Sequence, residues 1–260
     1  MRRIVAAVLA LAVLTPAAWA QTSNGNTFTW NGTIPQGDWL NIHNLNGDIT
    51  VEGTDGTVVR VTGEKHWRNG DPSRVRFQVS KDGGSVTICA LWHEDDRCDE
   101  NGYHSHGDHD DDHNDVSVHF TVQLPKGVKV DAGTVNGGLD INGAGSEVKA
   151  HTVNGRVTAT TAQGPVNAST VNGSVRVSMD ALTGSGDLRF STVNGSVTVE
   201  LPSTLNADVD LSTVNGGISS DFPLTISGRM SPRHIHATIG HGGRDLKVST
   251  VNGSVELRKR

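Results

Sequence analysis

Aromatic residues are scarce in this chain: they make up 4% of 260 positions, with a single tyrosine. A core filled by large rings is therefore excluded, and a thin core of valine and alanine is left as the alternative. Cysteine is nearly absent too. Cys89 and Cys98 are too few for a disulfide framework, but they suit an oxidising compartment, where they could close a small loop. A pair of free thiols in a metal site is the other reading. No segment after residue 20 is apolar and long enough to cross a bilayer as a helix. Phosphate-binding glycine loops, dinucleotide fingerprints and serine-nucleophile elbows are missing, which removes the best-marked enzyme classes. Outside one loop, bases and acids nearly balance in the mature chain, so there is no electrostatic footprint for nucleic acid.

What the chain does have is glycine, 31 residues or about 12% against a usual ~7%, and a repeat. The tetrapeptide Thr-Val-Asn-Gly occurs six times, with its asparagines at Asn136, Asn154, Asn172, Asn194, Asn215 and Asn252. Spacings of 18, 18, 22, 21 and 37 residues are the mark of a stacked repeat. Six positions before each asparagine stand Val130, Val148, Val166, Leu188, Val209 and Leu246. Three after it stand Leu139, Val157, Val175, Val197, Ile218 and Val255. The positions between are mostly polar. This period-two alternation on both sides of Asn-Gly predicts two strands per repeat, each with one buried face.

The expected fold is all-β: a single-stranded parallel β-helix or β-solenoid of seven or eight strand–Asn-Gly–strand rungs. Parity places the threonine and the asparagine on the apolar, inward face, with equivalent amides stacked from rung to rung. Glycine follows because the corner asks for a backbone conformation that other residues resist. A row of Asn-Gly hairpins in an antiparallel meander is the alternative. A seventh copy, Leu40, Ile42, Asn46, Gly47, Ile49 and Val51, fits the same columns with Asn44 in the threonine place. Insertions collect at the corner opposite Asn-Gly, the edge where repeat proteins often bind.

Residues 1–20 read as a secretory signal. Arg2 and Arg3 form the charged start, Ile4 to Leu14 are apolar, and Ala18-Trp19-Ala20 is a small-x-small cleavage site. The expected product is exported: periplasmic, cell-surface or secreted. No cysteine at the cleavage point marks a lipoprotein. The expected division is signal peptide 1–20, an N-terminal rung with a capping β-sheet at 21–129, and solenoid repeats at 130–260.

The loop 93–115 departs from all this. It holds ten acids, five histidines and one arginine, a formal charge of −9 where the whole chain has −6. Imidazole and carboxylate together suit Zn²⁺, Ni²⁺ or Cu²⁺. The candidate ligands are His104, His106, His109 and His113 with Asp108 and Asp110. Calcium is a weaker match, because His113 and His119 replace the glycine and glutamate of an EF-hand loop. A solvated insertion with no specific ion is the plainer reading. Asp140, Arg156, Arg176, Asp187 and Arg189 lie on outward columns. They form no recognisable catalytic constellation, although some parallel β-helices cleave polysaccharides on such a face.

The strand–Asn-Gly–strand ladder carries a resemblance. So do Val122-Gln123-Leu124-Pro125-Lys126-Gly127 leading into it and the ending Ile239-Gly240-His241-Gly242-Gly243 through Asn252-Gly253. Over roughly Leu40 to Leu257 the chain resembles the bacterial putative-adhesin domain family. That resemblance implies an envelope-associated β-solenoid, and the expected function is non-catalytic: a scaffold or an adhesin-like binding surface that requires no cofactor and meets an unknown protein or carbohydrate ligand. It carries over no catalytic residue and does not include the His/Asp loop.

Overall fold

The computed structural model describes residues 20–104, 114–184, 186–226 and 231–260. The signal segment, apart from Ala20, and His106, His109, His113, Asp108 and Asp110 lie outside the described residues.

Strands β1 (Ala20–Asn24), β2 (Thr27–Gly32), β3 (Trp39–His43), β4 (Ile49–Thr54), β5 (Val59–His66), β6 (Arg76–Asp82) and β7 (Ser85–Leu91) come first. A small hairpin, β8 (Arg97–Asp99) and β9 (Gly102–His104), and the long β10 (Ser117–Pro125) follow. The repeats supply β11 (Lys129–Asn136), β12 (Leu139–Ala144), β13 (Val148–Asn154), β14 (Val157–Thr161), β15 (Val166–Ser169), β16 (Val175–Met179), β17 (Leu188–Ser191) and β18 (Val197–Leu201). The chain ends with β19 (Ala207–Asn215), β20 (Ile218–Ser220), β21 (Thr225–Ile226), β22 (His234–Ile239), β23 (Arg244–Asn252) and β24 (Val255–Lys259).

Two faces enclose the core. One runs β1-β2-β5-β10-β4-β12-β14-β16-β18-β24-β20, the other β21-β22-β19-β23-β17-β15-β13-β11-β3-β7-β6. Successive repeats pair in parallel, like over like: Val130 with Val148, Ala132 with Ala150, Thr134 with Thr152. Parallel pairing sets the antiparallel meander aside. Because the columns alternate, the apolar set of every strand falls between the faces, and one continuous core joins Phe28 to Leu257. Residues on both sides of position 129/130 belong to it.

The order of rungs is not the order of the chain. The β23/β24 rung sits between β17/β18 and β19/β20, so the last repeat in sequence is the penultimate one in space. At the other end β7 pairs in parallel with β3, and β10 with β4. Together they form a rung outside the one that precedes them in sequence. Its corner, where the other rungs carry Asn-Gly, is the insertion 92–116 that contains the His/Asp loop.

The expected capping sheet takes a different form. β5, β2 and β1 prolong one face antiparallel, and β6 prolongs the other. Phe28 of β2 stacks on Phe77 of β6 with ring centroids 4.5 Å apart, so the two faces meet over the end of the core. The chain's few large rings are concentrated here, with Trp30, Trp92 and Phe120 also buried. An end without further rungs must be filled by bulk rather than by stacking.

Candidate functional site

The corner built by Thr-Val-Asn-Gly is the most repeated surface of the molecule, and its four residues divide their roles. The threonines point inward: Thr134, Thr152, Thr170, Thr192, Thr213 and Thr250 are all buried. Each hydroxyl donates to the carbonyl of the corner glycine one rung away, as Thr170 Oγ1 does to Gly155 at 2.9 Å and Thr250 Oγ1 to Gly195 at 2.8 Å. Asn44 takes this place in its own rung, donating to Gly47 and Val118 carbonyls at 3.0 and 2.8 Å.

The asparagines do not point inward, which corrects the parity reading. Asn136, Asn154, Asn172, Asn194, Asn252 and Asn215 are exposed, and Asn46 is half-buried. Parity assumes a straight strand. Here the chain swings round the corner after the threonine, and both following side chains are carried outside. The amides still form a row, each Nδ2 donating to the neighbouring Oδ1 at 2.8–2.9 Å: Asn136 to Asn46, Asn154 to Asn136, Asn172 to Asn154, Asn194 to Asn172, Asn252 to Asn194 and Asn215 to Asn252. Beside them runs a row of apolar groups. Val153, Val171, Val193 and Val251 are 38–39% exposed and Val214 is 53% exposed.

The expected backbone reason for the glycine holds at Gly47 and Gly253, with φ of 116° and 157°, but not at the other rungs. Gly137, Gly155, Gly173 and Gly195 are not in the left-handed region. Instead, a Cβ at Gly155, Gly173 or Gly195 would lie 1.9 Å from the carbonyl oxygen of the corner glycine in the preceding rung. Close approach of stacked backbones excludes every side chain.

At the end of this corner stands the base of the acidic loop. Cys89 and Cys98 are joined in a disulfide. With Leu91 they form a small second cluster against which Tyr103 packs. Several of the acids are occupied locally. Asp96 accepts from the Trp92 and His93 amides and from the Tyr103 hydroxyl. Asp115 accepts from the Gly70 and Asn69 amides at 2.7 and 3.1 Å. His104, the one candidate ligand among the described residues, lies with Nε2 3.2 Å from Asp99 Oδ1.

The hairpin of β8 and β9 lies beside His43, an outward residue of β3 that is nevertheless only 2% exposed. Burial lowers its pKa to about 4, although Asp131 and the Glu100 backbone work in the other direction. The sign is set by linkage: the folded ring stays neutral, while the unfolded chain takes up a proton near 6.5. The unfolded state thus binds more protons between pH 6.5 and about 4, and stability falls as pH drops through that window. His43 alone is expected to remove about 2 kcal/mol between pH 7 and pH 5. Urea midpoints at the two pH values measure this. His43→Gln should show a correspondingly shallower loss, and equal losses in parent and variant would contradict the assignment.

Asp140, Arg156 and Arg176 lie on one face and Asp187 and Arg189 on the other, so the outward charges do not converge on one centre. Arg189 instead pairs with Asp187 at 3.1 Å. A cluster that the sequence reading missed lies on β19 and β22: Asp210, His234 and His236 bring one ligand atom each within 4.8 Å of one another. Its only local signal was the His-x-His alternation of a strand. The three residues meet because β22 folds back antiparallel onto β19, with Asp210 opposite His236.

No helix among the described residues is long and apolar enough to cross a membrane. No curated protein matches the sequence. Among solved structures, a "putative cell adhesion protein" from Clostridium sporogenes is similar at 8% identity and TM-score 0.47, covering 89% of this chain and 99% of that one. A "putative adhesin" from Bacteroides fragilis is similar at 10% identity and TM-score 0.35, covering 91% and 98%. Another from Parabacteroides merdae is similar at 10% identity and TM-score 0.29, covering 90% and 97%. The model of one family matches residues 33–258, almost the whole of the β architecture, and the chain belongs to that family, Toastrack DUF4097.

Proposed function

We propose that this is an exported, non-catalytic protein of the cell envelope that binds an extended polysaccharide along its Thr-Val-Asn-Gly corner. The observation that carries the proposal is the outward half of the motif. Scattered exposed valines are ordinary, but a contiguous apolar row beside a row of amides is not. Each amide inside the row uses one N–H and one acceptor position along it, so a second N–H and further lone pairs are left for a ligand. Rungs lie about 4.8 Å apart, and the same pair of groups recurs at that interval. A ligand that itself repeats can engage many rungs at once, which raises avidity without any single deep pocket. Export is supported by the leader-like residues 1–20 and by the Cys89–Cys98 bond, which belongs in an oxidising compartment.

The test is co-sedimentation of the mature protein with purified envelope polysaccharide, sacculi and envelope protein fractions. Retention on a polysaccharide fraction, reversed by soluble fragments of it, is the expected result. Retention on the protein fraction alone would replace the polysaccharide with a protein ligand, and retention on none would overturn the proposal.

A second reading is transition-metal binding or buffering by the acidic loop with Zn²⁺, Ni²⁺ or Cu²⁺. His104 beside Asp99 supports it, with His106, His109, His113, Asp108 and Asp110 as the further candidates. Among the described residues, no particular arrangement of side chains favours polysaccharide cleavage.

A further inference from the structure

We infer a divalent transition-metal site at Asp210, His234 and His236, distinct from both the repeat corner and the acidic loop. Val209 and Leu211 of β19 and Ile235 and Ala237 of β22 face the core. Asp210 and His236, which lie between them, and His234, which precedes Ile235, therefore share the outer surface. On that surface His234 Nε2 lies 3.2 Å from Asp210 Oδ1, and His236 Nδ1 lies 3.6 Å from Asp210 Oδ2. The imidazole rings are 4.6 Å apart between centroids. A tetrahedral ion with bonds of about 2.05 Å holds its ligands about 3.3 Å apart; the two nitrogen–carboxylate distances, to different oxygens of Asp210, bracket that value, and one ligand atom from each residue lies within 4.8 Å of the others. Two imidazoles and one carboxylate are also a donor set suited to Ni²⁺ and Cu²⁺, and a poor one for Ca²⁺.

The surroundings leave room for a fourth ligand. Asp210 and His236 form part of the wall of a groove of about 350 Å³ that Arg189, Asp208, Asp245 and Lys247 also line. Asp208 is already engaged, accepting from the Thr238 hydroxyl and the Gly243 amide, both at 2.9 Å. It holds the turn after β22 rather than competing for the ion. Three protein ligands with water in the open position is the arrangement of an accessible zinc site. The ion would tie β22, which belongs to the long insertion after β20, to the rung strand β19. Occupancy should therefore stabilise this edge of the molecule by mass action.

The test uses untagged mature protein stripped with chelator, titrated calorimetrically with Zn²⁺, Ni²⁺, Cu²⁺ and Ca²⁺. Loop binding is removed in a parallel variant, His104→Ala/His106→Ala/His109→Ala/His113→Ala. The expected result is one equivalent of Zn²⁺ bound by this loop variant, with a rise in its Tm and no response to Ca²⁺. Adding His234→Ala/His236→Ala should weaken Zn²⁺ at least 100-fold while leaving the metal-free Tm unchanged. Asp210→Asn is a second, milder variant that should weaken it measurably. Retention of full affinity after loss of both histidines, or no heat from the loop variant at millimolar Zn²⁺, would overturn the site.

Discussion

Gly173→Ala is expected to destabilise the protein by about 3 kcal/mol or more, a large effect for one methyl group. The added Cβ would fall 1.9 Å from the Gly155 carbonyl oxygen, which is backbone and cannot rotate away. Relief requires the two rungs to separate at the corner. Separation would stretch the Thr170 hydroxyl bond to Gly155 and the Asn172 to Asn154 amide bond, at 2.9 and 2.8 Å, and disturb the Gly173 amide bond to Asn194 at 3.0 Å. Gly217→Ala is the control, since a Cβ there meets nothing within 4 Å, and it should cost under about 1 kcal/mol. Asn172→Asp, at an exposed position, removes one ladder bond for about 1 kcal/mol. Chemical denaturation of the three variants ranks them. Near-equal midpoints for Gly173→Ala and Gly217→Ala would contradict close stacking as the reason for the glycine.

The second large effect is a cross-link that should form almost completely in one pair and not at all in another. Val193 and Val251 lie on adjacent rungs, because Asn194 bridges to Asn252. Their strands stand about 4.8 Å apart, within the Cα separation a disulfide accepts. Val214 is two rungs from Val193, because β19 pairs with β23 rather than β17. Oxidised Val193→Cys/Val251→Cys should therefore bridge internally, and Val193→Cys/Val214→Cys should remain as thiols or link between molecules. Peptide mapping by mass spectrometry distinguishes them, and the reverse outcome would restore a stack in chain order.

That order was not legible in the sequence. Val209, Leu211, Thr213 and Asn215 occupy the same columns as Leu246, Val248, Thr250 and Asn252, so either rung could stack on Asn194 with the same chemistry. Only the long insertion between them hinted that the chain travels before it returns. What was legible is what depends on local alternation: two strands per repeat, the inward valines and threonines, and the amide row. Alternation fails where a strand ends. At the corner it placed the asparagine on the wrong side and left the outward valine unnoticed, although it stands in all six Thr-Val-Asn-Gly copies. The metal cluster was hidden for a different reason: Asp210 is separated from His234 and His236 by a fold-back that no local pattern specifies. The acidic loop stood out by composition, yet its position as an expanded rung corner required the pairing of β7 with β3 and β10 with β4.

The division of the repeated motif into an inward structural half, threonine and glycine, and an outward binding half, valine and asparagine, can be tested in one comparison. Val153→Lys/Val193→Lys changes two exposed side chains that are not on neighbouring rungs, since Asn172 lies between Asn154 and Asn194. Surface changes of this kind shift stability little, while two bulky charges interrupt the apolar row. Retention on the envelope polysaccharide that binds the parent protein is the quantity to measure, at a temperature well below both Tm values. The prediction is a loss of at least 10-fold in retained protein with a Tm close to the parent's. Undiminished retention by this variant would contradict the assignment of the corner as the binding surface.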